Sequence, residues 1–379
     1  MQHLIKTPTF SDALDMLKKR VARRGINYSL ERLNHALTAM GSPHINLPPT
    51  IHVAGTNGKG SVAHYLTQAL VKQKKSVITY TSPHIQCYTE RFLFNGAPIS
   101  KDLFAQLIEK VTLADPHHTL SEYELLTLMA FSFAQQLTPD ILILETGLGG
   151  RLDATNVIPT SMAIITDIGL DHTQILGPTL SHIANEKAGI IKPNAQVITH
   201  MDHDPSVLEI IKTHAKTNSA TLHWTTPKPN FHNRNKALAA IALNHILDID
   251  DGDTLLSNTP PPFGRLSPSA YHGRACFMDV GHNLNAAKAI QSMLPAASEW
   301  IIGMNREKDS LDVLQFLIEQ SQVVRLCEFD SAICTQHQDL PMPIRQQVDL
   351  WEFNDEILEN ALFFGSFYFI EKLLHEAPK

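Results

Sequence analysis

A glycine-rich turn between an apolar strand and a helix is the feature that most constrains the fold of this 379-residue chain. The turn occupies residues 54–61 and reads Ala-Gly-Thr-Asn-Gly-Lys-Gly-Ser. Glycines let the backbone curl so that several N–H groups point inward, and the helix directs its positive end at the same point. Lys59 adds a full charge, and the Ser61 hydroxyl can bind a magnesium ion. The turn therefore predicts a phosphate-binding loop for a nucleoside triphosphate.

The spacing within this turn departs from the common phosphate-binding loop, G-x-x-x-x-G-K-[ST]. Val53 stands at the position of the first glycine, and Gly60 separates the lysine from the hydroxyl. A plain strand-to-helix turn with a surface lysine is the alternative interpretation. The surroundings favour phosphate binding, because an apolar helix over residues 61–72 and a strand over residues 76–80 complete a βαβ unit.

Strands and helices alternate along the rest of the chain, so the predicted fold class is α/β. We expect an N-terminal P-loop-type domain, with a mostly parallel sheet flanked by helices, and a smaller C-terminal Rossmann-like α/β domain. Three prolines at residues 260–262 break the pattern, and a boundary just after them gives domains 1–266 and 267–379. Further strands are predicted at residues 140–145, 162–166, 196–199, 275–280, 300–302, 322–326 and 361–364, with a strand and hairpin over 88–96. Further helices are predicted at residues 27–40, 101–113, 121–137, 178–189, 233–247, 285–293, 311–319 and 367–375.

The composition argues against several classes of partner. A net charge of −7 provides no basic field for nucleic acid or for an anionic membrane. The N-terminus lacks the apolar stretch of a signal peptide, and the longest apolar runs are too short to span a bilayer. The four cysteines are scattered, which is typical of reduced thiols in a cytosolic protein. We therefore expect a cytoplasmic protein that acts on small molecules, with no nucleic-acid partner and no membrane partner.

Four polar side chains follow strands of the predicted parallel sheet, at the edge where ligands bind. They are Ser61, Ser82, Glu145 and His172. Hydroxyl and carboxylate oxygens suit magnesium, so these residues can converge on one or two ions beside the phosphates. The alternatives are a solvated strand end for Glu145, a turn residue for Ser82 and a hydrogen-bonded loop residue for His172, since imidazole is not a usual magnesium ligand.

Two further features each allow two interpretations. Lys187 lies within a predicted helix next to Glu186, where it forms either a solvated charge pair or part of the site. The glycine loop at residues 147–150 directly follows Glu145, and it is either a tight connection or part of the ligand edge. The residue pattern alone leaves both open.

Six motifs occur in order along the first half of the chain. They occupy residues 54–61, 81–84, 88–91, 145–156, 170–173 and 186–190. Together they resemble the bifunctional dihydrofolate synthase/folylpolyglutamate synthase branch of the Mur ligase superfamily. The resemblance covers most of residues 27–195 and continues more thinly at residues 263–266, 279–283 and 365–366.

The resemblance implies roles for ATP and Mg2+ at the matching positions. The implied ATP-binding residues are Thr56, Asn57, Gly58, Lys59, Gly60, Ser61, Asn235, Arg265 and Asp279. The implied metal-binding residues are Ser61, Ser82, Glu145, His172 and Lys187. Lys187 matches a lysine that the family carbamylates, which replaces a cation with an anionic oxygen ligand. The implied catalytic residues are Lys59, Lys187, His172 and His282.

The resemblance also implies a binding site for the acceptor substrate. Its residues are Asn27, Tyr28, Ser29, Leu30, Ser121, Glu122, Tyr123, Glu124, Leu152, Asp153 and Ala154. His282 matches a residue near the incoming glutamate, on a C-terminal domain that closes over the ATP and glutamate site. The chain departs from the family at Gly281, where alanine is usual, and at Leu284, where proline is usual.

The implied activity is ATP-dependent and ADP-forming ligation. L-glutamate is added to the carboxylate of dihydropteroate, and to reduced folates, through an acyl phosphate, and the resemblance suggests a monomer. The alternatives are another Mur-type amino-acid ligase, a regulatory ATP-binding protein without ligase activity, and an α/β protein with a vestigial loop.

Overall fold

Two units, each built on a β-sheet, make up the described part of the chain. The computed structural model describes residues 8–21, 29–294, 298–306 and 310–376. One unit runs to Pro229 and includes Asn233–Thr259, and the other comprises Asn230–His232 and the residues from Pro260 onward. Both sheets are mostly parallel and are accompanied by helices, which confirms the predicted α/β fold class. The boundary after residue 266, and the closure of the second domain over a ligand site, stay predictions.

A single sheet organises the first unit. Its strands are β1 (Thr50–Ala54), β2 (Val77–Tyr80), β3 (Phe92–Phe94), β4 (Ala97–Pro98), β5 (Ile141–Glu145), β6 (Met162–Ile165), β7 (Gln196–His200) and β8 (Thr221–Thr225). They form one 8-stranded sheet in the order β4-β3-β2-β5-β1-β6-β7-β8. The six strands from β2 to β8 in this order run parallel, whereas β3 and β4 are antiparallel at one edge. The carboxyl ends of β5, β1 and β6 therefore lie side by side, where the following loops can meet a ligand.

Helices cover both faces of this sheet. They are α1 (Phe10–Val21), α2 (Glu31–Ala39), α3 (Lys59–Lys72), α4 (Lys101–Leu113), α5 (Glu122–Leu137), α6 (Thr173–Leu176), α7 (Leu180–Ala188), α8 (Pro205–Thr217), α9 (Phe231–Leu247) and α10 (Gly252–Leu256). Along β5, Leu142 and Leu144 pack with α4 and α5, whereas Ile143 packs with α3 and α9. The continuous apolar run of β5 is buried because both faces are covered. Among the described helices, none combines the length and the apolar character needed to cross a membrane.

The second unit repeats the architecture on a smaller scale. Its strands are β9 (Ser267–Tyr271), β10 (Arg274–Asp279), β11 (Glu299–Gly303), β12 (Val323–Leu326), β13 (Asp349–Leu350) and β14 (Ala361–Gly365). Its further helices are α11 (Leu284–Gln291), α12 (Ser310–Glu319), α13 (Met342–Arg345) and α14 (Phe367–Glu376). The sheet order is β13-β12-β11-β14-β10-β9, and β9 runs antiparallel to β10. Trp300 and Phe364 pack edge to face in its core.

The segment at residues 88–91 differs from the predicted strand and hairpin. Tyr88–Arg91 form a 3₁₀ turn, and the antiparallel strands begin only at Phe92. Glu90 is the cause, because its carboxylate accepts hydrogen bonds from the backbone N–H groups of residues 85–87 at 2.9 to 3.3 Å. This local cap bends the chain where the residue pattern predicted an extended strand.

Other elements differ from the predictions at a boundary or were not predicted. Helix α7 begins at Leu180 rather than residue 178, because the Thr179 side chain caps it. The short α6 precedes it and ends at Gly177, whose φ is 104°. The helix predicted from residue 27 begins at Glu31 in the described chain, and residues 27 and 28 lie outside the described residues. Helix α8 and strand β8 were not predicted, although Val207, Ile211 and Ala215 recur at a helical spacing and are buried in α8.

Candidate functional site

The turn after β1 forms a loop that is held by the segment following β6. The Thr56 N–H donates to the Asp167 carbonyl oxygen at 2.7 Å, and the Thr56 hydroxyl donates to the Gly169 carbonyl oxygen at 3.1 Å. The Thr166 hydroxyl donates to the Asn57 carbonyl oxygen at 2.7 Å. Helix α3 starts directly after the loop, so the loop curls around the positive end of a helix whose first N–H groups have no intrahelical partner.

Two glycines of this loop have no room for a side chain. Gly58 has a φ of 93°, in the left-handed region, and a Cβ there would lie 2.4 Å from Asn235 Oδ1. A Cβ at Gly55 would lie 1.8 Å from Thr166 Oγ1. The loop therefore packs directly against Asn235 of α9, which is buried.

Replacing Gly58 by alanine should destabilise the protein by about 2–3 kcal/mol, because strain and the contact with Asn235 add. Gly41→Ala is the matched control, since Gly41 has a similar φ of 78° but no atom within 4 Å of the added Cβ. It should cost only the strain, about 1 kcal/mol. Urea unfolding of both variants measures the difference, and equal losses would show that Asn235 moves aside freely.

Two lysines converge on one carbonyl group of the loop. Lys59 Nζ lies 3.0 Å from the Gly55 carbonyl oxygen and 3.3 Å from the Thr56 carbonyl oxygen. Lys187 Nζ donates to the same Gly55 oxygen at 2.8 Å. Lys187 is buried, and its burial, followed by the nearby charge of Lys59, lowers its pKa from 10.5 to about 7. The site therefore holds one amine that is partly neutral near pH 7.

The solvated charge pair considered for Lys187 is wrong. Its neighbour Glu186 instead accepts hydrogen bonds from Arg151, at 3.1 Å from Nε and 2.8 Å from Nη2. The Arg151 N–H also donates to the Glu186 carbonyl oxygen at 2.7 Å. The end of α7 is thereby joined to the glycine loop after β5, while Lys187 points to the loop after β1.

Replacing Lys187 by methionine should increase the free energy of unfolding by roughly 1–3 kcal/mol at pH 7. The folded pKa of about 7 lies below the ordinary value of 10.5, so the unfolded chain binds more protons between these values. Wild-type stability therefore rises with pH over that range, and the gain from the substitution should shrink toward pH 10.5. Urea unfolding at several pH values, in buffer depleted of carbon dioxide so that the amine stays unmodified, measures it. Lys216→Met, at an exposed position on α8, is the control and should change stability little.

Glu145 ends β5 beside the loop, with only 4 % of its surface exposed. Its Oε2 accepts a hydrogen bond from the Ser82 N–H at 3.3 Å, and a Cβ at Gly60 would lie 3.4 Å from the same oxygen. The carboxylate therefore lies between the loop after β2 and the first turn of α3. This burial rules out the solvated strand end considered from the sequence.

The other residues predicted to bind metal differ in exposure. Ser61 is buried in the first turn of α3, and Ser82 is half-buried. His172 is exposed, with a φ of 50°, and its Nε2 lies 3.8 Å from Asp171 Oδ1. Over residues 8–21, 29–294, 298–306 and 310–376, no group of three His, Cys, Asp or Glu side chains is arranged to hold a metal ion. A hard cation here would need the hydroxyl and carboxylate oxygens at the sheet edge.

The predicted acceptor-site residues at the start of α5 are partly engaged within the protein. Ser121 and Glu124 form a capping box, in which the Ser121 hydroxyl donates to Glu124 Oε2 at 2.7 Å. Glu124 also pairs with Arg32, at 2.9 Å from its Nε. Glu122 lies 4.0 Å from Arg91 Nη2. The Tyr123 ring lies so close to Gly147 that a Cβ there would be 2.5 Å from it.

The other predicted acceptor-site residues lie near Tyr123 or at the start of α2. Asp153 is buried and accepts a hydrogen bond from the Tyr123 hydroxyl at 3.2 Å. Leu152 is half-buried and Ala154 is buried. Ser29 and Leu30 precede α2 and are half-buried. Asn27 and Tyr28 lie outside the described residues. The structure thus brings Tyr123 and Asp153 together.

One polar cluster beside the acceptor residues received no role from the sequence. Arg91 Nε donates to His84 Nδ1 at 2.8 Å, and its guanidinium lies 5.3 Å from the centroid of the Tyr88 ring. Burial, followed by the charge of Arg91, lowers the pKa of His84 to about 4, so the imidazole is neutral. Both residues stand in motifs identified from the sequence, but only the fold shows that they touch.

The second unit gathers its own set of predicted residues. Asp279 is buried and accepts hydrogen bonds from the Leu266 N–H at 2.7 Å and the Gly281 N–H at 2.6 Å. Burial raises the pKa of Asp279 to about 6, and the charge of Arg265 opposes that shift. His282 Nδ1 lies 3.1 Å from the Val280 carbonyl oxygen.

The departure from the family at Gly281 has a steric explanation. A Cβ at this position would lie 2.5 Å from Phe364 Cε2 and 2.8 Å from Asp279 Oδ1. Phe364 belongs to β14 and packs in the core, so it cannot move aside without disturbing that core. Glycine at position 281 therefore fits this particular packing. Nothing comparable explains Leu284.

The loop and the sheet that carries it define a class of protein. The Mur ligase middle domain matches residues 53–245, a range that includes the loop after β1, Glu145, Lys187 and Asn235. The class is therefore that of the Mur ligases.

Relatives and solved structures narrow this class. The chain is 30% identical to dihydrofolate synthase/folylpolyglutamate synthase of Escherichia coli, over 77% of this chain and 75% of that protein. It is 36% identical to the protein of the same name from Bacillus subtilis, over 56% of this chain and 50% of that protein, so this match spans half the relative. The fold matches E. coli FolC in complex with DHPP and ADP with a TM-score of 0.85, at 24% identity over 97% of both chains. The chain belongs to the dihydrofolate synthase/folylpolyglutamate synthase family, which confirms the resemblance in its motifs.

Proposed function

We propose that the chain is an ATP-dependent, ADP-forming ligase that adds L-glutamate to the carboxylate of dihydropteroate, and also to reduced folates. The observation that carries this proposal is the convergence of Lys59 and Lys187 on the Gly55 carbonyl oxygen at the positive end of α3. The Lys59 amine at a curled loop suits a polyphosphate, and Lys187 lies beside it, where the modified side chain proposed below would face the same loop. The names of the relatives support the choice of substrates.

The reaction needs ATP because a carboxylate does not react with an amine at neutral pH. An oxygen of the dihydropteroate carboxylate attacks the γ-phosphorus of ATP, the bond to the β-phosphate oxygen breaks, and ADP leaves. The amine of glutamate then attacks the acyl carbon, loses a proton and expels phosphate, leaving an amide. Lys59 would offset the repulsion between the triphosphate and the incoming carboxylate.

The donor set at the sheet edge fits a hard cation. Glu145 provides a buried carboxylate, which accepts a hydrogen bond from the Ser82 N–H at 3.3 Å, and the hydroxyls of Ser61 and Ser82 flank the same edge. We propose these three residues, with His172 and Lys187, as ligands of Mg2+. When bound, the ion would neutralise charge on the phosphates.

Lys187 would serve as an oxygen ligand only after modification. Its neutral amine can attack carbon dioxide, forming an N–C bond and releasing one proton, and the product is a carbamate with two oxygens. The lowered pKa of about 7 supports this step, because the ordinary lysine value of 10.5 would leave almost no neutral amine at pH 7.

The remaining predicted residues complete the proposal. Asn235, Arg265 and Asp279 are proposed contacts of ATP, and His282 of the incoming glutamate. The acceptor would be bound by the residues around Tyr123 and Asp153, together with residues 27–30. We further propose that the protein is cytoplasmic and monomeric. Light scattering of the purified chain would test the monomeric state.

The direct test is product identification. The protein is incubated with ATP, magnesium, glutamate and either dihydropteroate or a reduced folate, and the products are identified by mass. We expect dihydrofolate from the first mixture, and one or more added glutamates from the second. ADP formation that requires a different carboxylate or amino acid would favour another Mur-type ligase. ATP binding that no carboxylate converts into turnover would favour a regulatory protein.

A further inference from the structure

A buried chain of hydrogen bonds links the central strand to the acceptor side of the sheet. His52 of β1 is fully buried, and its Nε2 lies 2.7 Å from Thr155 Oγ1. The Thr155 hydroxyl donates to Asp153 Oδ1 at 2.5 Å. The Tyr123 hydroxyl donates to the same oxygen at 3.2 Å. No function has been assigned above to His52 or Thr155.

The direction of the protons along this chain follows from the groups present. Asp153 receives five hydrogen bonds, three of them from the backbone N–H groups of Gly147, Leu148 and Thr155, which can only donate. It is therefore the acceptor at the end of the chain. Thr155 spends its one proton on Asp153, so it must accept from His52 Nε2. Burial lowers the pKa of His52 to about 3, so the imidazole is neutral and carries its proton on Nε2.

The same carboxylate organises the glycine loop after β5. Asp153 Oδ2 accepts from the N–H groups of Gly147 and Leu148, both at 2.9 Å. The Tyr123 ring lies against Gly147, and its hydroxyl is held by Oδ1. One buried side chain thus sets both the loop and the tyrosine that face the proposed acceptor.

A histidine is energetically unfavourable at such a buried position. Its Nδ1 has no hydrogen-bond partner in the described part of the chain, and an unpaired buried nitrogen is unfavourable. An apolar side chain on β1 would avoid that cost. The benefit of His52 is therefore the donor that it offers to Thr155.

We propose that His52 and Thr155 are positioning residues for the acceptor substrate, acting through Asp153 on the glycine loop and on Tyr123. This inference rests on the proposed function, since the acceptor is dihydropteroate there. Loss of this chain of hydrogen bonds should raise KM for the acceptor and leave KM for ATP unchanged, because the loop after β1 is fixed by other residues.

The test compares Thr155→Val with Thr155→Ser. The valine variant should raise KM for dihydropteroate about tenfold, the effect of losing one hydrogen bond to a charged group, while KM for ATP stays within about twofold. The serine variant keeps the hydroxyl and should resemble wild type. His52→Leu should behave as Thr155→Val, and His52→Gln, which places an N–H at a similar reach, should recover most of the loss.

The chain offers a matched control in Thr225→Val. His200 is also buried, its pKa is also lowered to about 3 by burial, and its Nδ1 lies 2.8 Å from Thr225 Oγ1. Thr225 of β8 therefore forms a buried histidine–threonine hydrogen bond of the same kind, and it is remote in sequence from Asp153. Its substitution should leave both KM values unchanged.

A spectroscopic measurement tests the proton direction independently of turnover. In ¹⁵N-labelled protein, His52 should show a protonated Nε2, and its chemical shift should move in Thr155→Val but not in Thr225→Val. Protonation at Nδ1 would overturn the inference. Equal KM values for dihydropteroate in the two valine variants, with an active wild type, would overturn it while sparing the proposed function. A wild type that neither binds nor converts dihydropteroate would overturn both.

Discussion

Lys59→Ala should reduce ligation by about 10²- to 10³-fold, the effect of removing one fixed donor from a charged transition state. The Lys59 amine bonds to the Gly55 and Thr56 carbonyl oxygens of the loop after β1 rather than packing in a core, so the fold should survive its removal. Phosphate release in the presence of ATP, magnesium, dihydropteroate and glutamate measures the loss. Circular dichroism and the urea midpoint show whether the variant is folded.

The matched control for this experiment is Lys75→Ala. Lys75 is exposed just beyond the other end of α3. The substitution therefore removes the same charge far from the phosphate loop. Its activity should stay within about twofold of wild type, as expected for an exposed surface substitution. Ligation that persists in Lys59→Ala at the level of Lys75→Ala would mean that the loop does not hold the transferred phosphoryl group.

Ligation should depend on carbon dioxide, and the dependence should be strongest below pH 7. The pKa of Lys187 is lowered to about 7, so the amine becomes protonated as the pH falls through this value, and more carbon dioxide is then needed to form the carbamate. In CO2-depleted buffer, activity should fall and should return on addition of bicarbonate. Lys187→Met should lose at least about 10²-fold in activity at every pH and should not respond to bicarbonate.

Carbon-13 NMR with labelled bicarbonate provides the direct readout. Wild type should show one protein-bound carbamate resonance that Lys187→Met lacks. The exposed Lys216 again supplies the control, since Lys216→Met should keep both the resonance and the bicarbonate response. An unmodified Lys187 in an active enzyme at pH 8 would refute the proposed carbamate.

The local features of the fold could be predicted from the sequence because they depend on near neighbours. The order of apolar strand, glycine turn and apolar helix predicted β1, the loop and α3, and β5 followed from its continuous apolar run. Helix α4 matches its predicted range, because Ser100 caps it and its apolar residues keep a helical period. The strand predicted at residues 88–91 was wrong because the Glu90 carboxylate caps a turn there and so prevents an extended conformation.

The arrangement of the site depends on contacts between distant residues, which a single sequence does not contain. The Lys187 amine donates to the Gly55 carbonyl oxygen, which is 132 positions away in the sequence. The sequence does not reveal this buried contact, which is what excludes a solvated charge pair. His52 was passed over for the same reason: in sequence it is one polar residue in a strand, and its partner Thr155 lies 103 positions away. Its position in β1 between the apolar residues Ile51 and Val53 was the available signal.

The strand order has a consequence for synthesis of the protein. β1 and β2 are consecutive in sequence, yet β5 lies between them in the sheet and pairs with both. A nascent chain leaving the ribosome therefore carries the apolar edge of β1 unpaired until residue 145 has emerged. Truncated chains that end before β5 would expose unpaired strand edges, which bind chaperones or aggregate. Ribosome stalling between β2 and β5 should therefore be more harmful than stalling in the second unit.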